Sequence, residues 1–233
     1  MTSNARRTLA ATALASLALP VHAAEFSGYL TLTTDYVWRG VTQSDGDPAV
    51  QLGGEVIFNS GVYGGIWGST VDINNGGNRQ RDAEVSYYLG YGHDVTAQWT
   101  LGVRVVAYTY PGQTGPIDYN YEEYGLSVNY DDRVWLEYAY SPDYWGLQIE
   151  SHNVELISEW PAGDHLVLGA AVGYFDFTDF LDDSYAYWDV GVTWPINRFS
   201  IDLRYHDTSG TVFIVSTPDR ADARIVLSVR VFF

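Results

Sequence analysis

The chain ends Arg224-Ile225-Val226-Leu227-Ser228-Val229-Arg230-Val231-Phe232-Phe233. Taken in steps of two, Ile225, Leu227, Val229, Val231 and Phe233 form an apolar row. Arg224, Val226, Ser228 and Arg230 form the opposite row. Successive side chains of a β-strand point to opposite faces, so this stretch predicts a strand with one apolar and one charged face.

The same alternation recurs upstream. Ala83, Val85, Tyr87, Leu89 and Tyr91 alternate with Asp82, Glu84, Ser86, Tyr88 and Gly90. Trp99, Leu101, Val103 and Val105 alternate with Thr100, Gly102, Arg104 and Val106. Phe199, Ile201, Leu203 and Tyr205 alternate with Ser200, Asp202, Arg204 and His206. Twelve such segments are predicted, near 26–38, 48–58, 62–73, 81–93, 98–110, 119–130, 133–141, 149–160, 165–176, 185–194, 198–207 and 222–233. Short connections alternate with longer ones near 39–47, 74–80, 111–118, 142–148, 177–184 and 208–221, which are rich in Asp, Gly, Asn, Pro and Ser. An even strand count with short and long connections in turn is the pattern of an outer-membrane barrel.

The faces decide between water and lipid. A soluble barrel hides its apolar face inside, but the polar rows here carry charges of both signs, and a twelve-stranded barrel is too wide to fill with them and stay dry. The inverted arrangement, apolar out and polar in, resolves both facts. The expected fold is therefore all-β: a transmembrane antiparallel up-and-down barrel of one domain, residues 24–233. Phe233 reads as the assembly signal of such a barrel. Aromatics at segment ends (Tyr36, Trp38, Trp99, Tyr119, Tyr121, Trp160, Trp188, Trp194) are expected in its interfacial girdles.

Composition fits this and excludes alternatives. The 233 residues carry 12 basic and 29 acidic groups, a net charge of −17, and every basic residue is Arg. An acidic chain without basic clusters is a poor partner for nucleic acid. The absence of Cys excludes disulfides, thiolate metal sites and a cysteine nucleophile. A mean hydropathy of −0.12 excludes a bundle of apolar transmembrane helices. It is compatible with a barrel, whose lipid face uses every second residue. Residues 1–23 read as a cleaved signal peptide: Arg6 and Arg7, an apolar core from Leu9 to Leu19, then Val21-His22-Ala23 as the cleavage signal. Its removal takes the charge to about −19.

Asp35-Tyr36-Val37-Trp38-Arg39-Gly40-Val41-Thr42-Gln43-Ser44 closes the first segment. This D-Y-x-x-R-G-x-[ST]-Q-[ST] stretch resembles the TorF-type porin family of Gram-negative outer-membrane proteins. Weaker echoes are Gly64 to Ser69, Glu84 to Tyr91, Tyr121 to Tyr124 and Leu136 to Tyr138. The resemblance implies an outer-membrane channel, and it offers no catalytic residue. By alternation, Asp35, Val37 and Arg39 are expected to face the lumen, with Tyr36 and Trp38 at the lipid interface. Barrel closure sets the first strand beside the last, which suggests an Asp35–Arg pair with Arg224 or Arg230. Further lumen-lining charges are expected at Glu55, Asp82, Glu84, Glu123, Glu137, Glu155, Asp189 and Asp202, against Arg104, Arg133 and Arg204. Acids exceed bases, which leans toward cations or neutral polar solutes.

The expected function is porin-like passage of small hydrophilic solutes or ions across the outer membrane. The partners are outer-membrane lipid and lipopolysaccharide, the barrel-assembly machinery and the solutes, with no cofactor. A structural or surface-interaction barrel with a closed, salt-bridged lumen is the alternative. An outer-membrane hydrolase built around His206, Asp207 and Ser209 is a weaker one, since a Ser–His pair needs hydrogen-bond reach and an orienting acid. Asp176, Asp179, Asp182 and Asp183 lack the spacing of a calcium loop and read as solvated loop charge.

Overall fold

The computed structural model describes residues 24–75, 78–112, 118–177, 184–209 and 218–233. The signal segment, Asp179, Asp182 and Asp183 lie outside them. Fourteen strands run in chain order: β1 (Ala24–Thr33), β2 (Val37–Trp38), β3 (Val41–Thr42), β4 (Ala49–Phe58), β5 (Val62–Asn75), β6 (Asn78–Asp94), β7 (Trp99–Thr109), β8 (Tyr121–Tyr130), β9 (Val134–Ser141), β10 (Ser151–Ala162), β11 (Leu166–Asp176), β12 (Tyr185–Ile196), β13 (Phe199–Thr208) and β14 (Arg224–Phe232). Twelve of them close an antiparallel barrel, each pairing with its neighbours in sequence and β14 pairing with β1. Closure leaves no unpaired edge, which backbone in hydrocarbon requires. The remaining two, β2 and β3, form a separate hairpin.

Register fixes which side chains point in. Leu32, Leu52, Ile66, Leu89, Leu126, Leu168, Val190, Leu203 and Leu227 all face outward and are exposed. Their neighbours along each strand face the lumen, and there burial rises toward the long-loop end. Trp99, Trp160, Trp188 and Trp194 stand on the outer face, and Trp99 packs on Tyr130 with ring centroids 4.7 Å apart. Phe233 also lies outside, against the backbone of Gly28: a Cβ at Gly28 would meet its ring at 2.6 Å. The chain terminus thus covers the seam between β1 and β14, where Gly28 and Phe233 exchange backbone hydrogen bonds.

Four expected features are corrected. The first strand stops at Thr33 rather than running to residue 38. Residues 74–80 are not a long loop among the described residues, because β5 and β6 extend to Asn75 and from Asn78 as one tall hairpin. Tyr36, Trp38, Tyr119 and Tyr121 do not join a lipid girdle; Tyr36 and Tyr121 are buried inside the barrel, and Trp38 and Tyr119 pack against the same buried cluster. Arg133 does not line the lumen. It follows the tight Asp131–Asp132 turn, half-exposed, with its guanidinium 5.5 Å from the outward-facing ring of Trp160.

Candidate functional site: an inward hairpin and the chambers beneath it

The segment joining β1 to β4 folds back into the barrel mouth instead of standing in solvent. Its reason is local. Arg39 and Gly40 both have left-handed φ (49° and 79°), so they make the tight two-residue turn that joins β2 to β3. Gly40 is needed twice over: besides its φ, a Cβ there would lie 2.5 Å from Thr208 and 2.8 Å from Tyr187. The base of the hairpin is tied by one carboxylate. Asp35 accepts hydrogen bonds from the hydroxyls of Thr42 (2.5 Å) and Ser44 (2.8 Å) and from the Arg224 guanidinium (2.7 Å). Gln43 N–H donates to the Tyr36 carbonyl at 2.6 Å, and Tyr36 N–H donates to Ser44 Oγ.

Arg39 fastens the tip. It donates two hydrogen bonds to Glu123 on β8, at 2.7 and 2.9 Å, and both side chains are about 95% shielded from solvent. Its guanidinium also lies 4.0 Å from the Trp38 ring centroid and 4.7 Å from that of Phe175. The Tyr185 hydroxyl donates to the Arg39 carbonyl. Burial alone would lower the Arg39 pKa, but Glu123 more than offsets it and the group is raised well above its ordinary value. It therefore stays charged.

Around the hairpin the long-loop end of the lumen is filled with aromatics. Tyr144 and Phe177 are fully buried and Phe175 nearly so, and Trp38 stacks parallel to Tyr144. Tyr36 and Tyr110 both donate to Glu84 of β6, at 3.2 and 3.1 Å. Burial first, then the Glu84 charge, holds both phenols protonated well above their usual range. Arg220, from the short 3₁₀ turn Pro218–Ala221, donates to the Asp72 carbonyl at 2.9 Å and sits 3.4 Å from Asp45.

Below the hairpin the interior is wet. Arg104 and Glu137 pair at 2.8 Å, yet their side chains remain 40% and 24% exposed although they point inward. A cavity of about 230 Å³ lies directly under the hairpin tip, with Arg39, Arg104, Glu137, Glu155, Asp189 and His206 on its wall. A second cavity of about 420 Å³ lies at the short-turn mouth, between Glu159, Asp202, Arg204 and Arg230. Arg204 donates to both Asp189 and Asp202. Arg230 donates to Thr31 Oγ1 and stacks over Tyr29, so it has no carboxylate partner among the described residues. Glu55 accepts from Tyr88. Asp82 lies on β6 next to the Asp72 wall, with one carboxylate oxygen buried and unbonded. Of the two arginines expected across the seam, Asp35 pairs with Arg224, while the rest of its motif, expected on the wall, leaves it. The hydrolase constellation does not assemble: Ser209 Oγ accepts from the Ala186 amide, and no hydrogen bond joins it to His206 among the described residues. No group of three His, Asp or Glu able to hold a metal occurs among the described residues.

Comparison with known proteins gives a family and a fold. Residues 18–232 match the model of a family described as bacterial protein of unknown function, Gcw_chp. The chain belongs to that family. No curated protein matches it. Among solved structures, the KdgM porin in complex with disordered oligogalacturonate is similar over 91% of this chain and 99% of its own, at TM-score 0.55 and 8% identity. A second structure of the KdgM porin covers 89% and 99%, at 0.53 and 8%. The NanC porin covers 89% and 98%, at 0.52 and 6%. At these identities the likeness establishes the porin-type barrel fold of this chain and nothing finer.

Proposed function

We propose that this Gcw_chp protein is an outer-membrane channel for small hydrophilic solutes or ions, shut at its outer end by the inward hairpin. The observation that carries the reading is the boundary inside the lumen. Below the hairpin Arg104 keeps 40% of its side-chain exposure, while Glu123, one strand away, is sealed at 4% beneath the hairpin tip. A purely structural barrel has no need of a wet, charged half-lumen that ends on a single fold-in segment. The fold shared with the KdgM and NanC porins and the TorF-like motif at 35–44 both support the reading. In this arrangement residues 1–23 direct export, the short turns face the periplasm, the apolar outer face contacts lipid and lipopolysaccharide, and the assembly machinery reads Phe233.

The hairpin is held by ion pairs and hydrogen bonds rather than by covalent links, and such contacts can exchange with water. Planar-bilayer recording tests the reading. The wild type is expected to show rare or small openings, and a variant with Val37–Thr42 replaced by a short glycine link is expected to conduct steadily. A folded barrel that stays silent in both forms supports the structural-barrel reading instead.

A further inference from the structure

The chamber under the hairpin carries an unbalanced charge. Glu137 on β9 and Glu155 on β10 are direct register partners and both point into the lumen. Like charges directly opposite one another on one face of a sheet are destabilising. One guanidinium, Arg104, is available to the pair, and it bonds Glu137. The other cations nearby are committed elsewhere: Arg39 to Glu123 and Arg204 to Asp189 and Asp202. Neither Glu155 nor His206 has an ion-pair partner among the described residues. The chamber therefore has one carboxylate in excess. Neutral hydrogen-bonding groups surround it: Asn153 lies two residues along β10 and accepts from the Tyr187 hydroxyl at 3.0 Å, and Tyr187 stands across Gly173 from Glu155.

We propose that this chamber is a binding site for a small organic ammonium compound, with Glu155 as its counter-ion. Bound there, an ammonium relieves the repulsion between Glu137 and Glu155, and its N–H groups bond the Glu155 carboxylate. The 230 Å³ volume admits a compact organic solute. A dehydrated metal ion is a poorer fit, since no three-ligand set exists among the described residues. The short-turn half of the lumen favours cations as well. Among the described residues Glu55, Glu137, Glu155, Glu159, Asp189 and Asp202 there outnumber Arg104, Arg204 and Arg230 by three. The proposal deepens the channel reading by naming a class of solute, but occupancy of the chamber does not require that the hairpin open.

Equilibrium titration of the full folded barrel in detergent with 1,4-diaminobutane, at constant ionic strength set by sodium chloride, tests it. The wild type is expected to bind one equivalent saturably. Glu155→Gln is expected to weaken binding by at least about tenfold. Glu137→Gln is expected to weaken it too, although Glu155 is intact, because Arg104 is then free to neutralise Glu155. Heat-modifiability on gels confirms that both variants fold. Equal binding by wild type and Glu155→Gln, or no saturable binding, would overturn the proposal. Because no transport is measured, these outcomes are independent of the conductance test, whose failure would leave the binding result standing.

Discussion

Truncating Arg39 removes the fastening at the hairpin tip while leaving the barrel wall intact. Both partners of the Arg39–Glu123 pair are shielded from water and joined by two hydrogen bonds of 2.7 and 2.9 Å. Removing one partner of a buried pair strands the other and costs about 3–5 kcal/mol. Loss of the contact over Trp38 adds about 0.5–2 kcal/mol. Every 1.4 kcal/mol is a factor of ten in an equilibrium, so the lower bound of about 3 kcal/mol raises the population of the displaced hairpin by roughly a hundredfold. Arg39→Ala and Glu123→Ala are each expected to increase open probability in bilayers and to lower the temperature at which the folded gel band is lost. In the double variant neither charge of the pair is left stranded, so its effect is expected to be smaller than the sum of the singles. The two sites touch, so strong non-additivity is required. Single variants that conduct and melt as the wild type does, or a strictly additive double variant, would refute the reasoning.

Three further outcomes follow from the same geometry. Gly40→Val demands a β-branched side chain at φ 79° and places its Cβ within 2.8 Å of Tyr187, so it is expected to displace the hairpin and raise conductance as Arg39→Ala does. Leu203→Arg puts a charge on the lipid face and is expected to cost about 2–4 kcal/mol if Leu203 lies at the bilayer midplane, seen as reduced urea resistance in vesicles. Tyr36 and Tyr110 have folded-state pKa values above those of the unfolded chain, so the stability they contribute is complete below about pH 10 and is lost as pH rises beyond it. The melting temperature is expected to fall above that pH, with a shallower slope in Tyr36→Phe.

The barrel was legible because its signal is repeated. Twelve segments alternate, and in β14 the strict apolar row Ile225 to Phe233 leaves one face for lipid. Barrel closure likewise set Asp35 near Arg224 or Arg230 across the seam, and the structure pairs it with Arg224. The inward hairpin was not legible, because Tyr36 and Trp38 suit a membrane interface and a dry core equally well. Alternation continues through Val37 and Arg39, so it masks the exit from the wall at Thr33. A usable signal was present in Arg39-Gly40, a pair able to make a tight turn, flanked by Asp35, Thr42 and Ser44, which can satisfy one another. The aromatic plug was hidden for a different reason. Tyr144 comes from the β9–β10 connection and Phe175 and Phe177 from the end of β11, so they meet only once these three strands pair.

Thiol accessibility measures the boundary between wet and dry lumen most directly, since the chain has no Cys and any introduced one is unique. Ser228→Cys at the mouth and Ser127→Cys beside Arg104 face the lower lumen, while Ser141, fully buried, stands beside the plug. With a small charged methanethiosulfonate added from the short-turn side, Ser228→Cys and Ser127→Cys are predicted to react quickly. Ser141→Cys is predicted to react only when Arg39→Ala is introduced with it. Equal reactivity at all three positions in the presence of Arg39, or no reaction at Ser127→Cys, would contradict a lumen that is open below the hairpin and sealed above it.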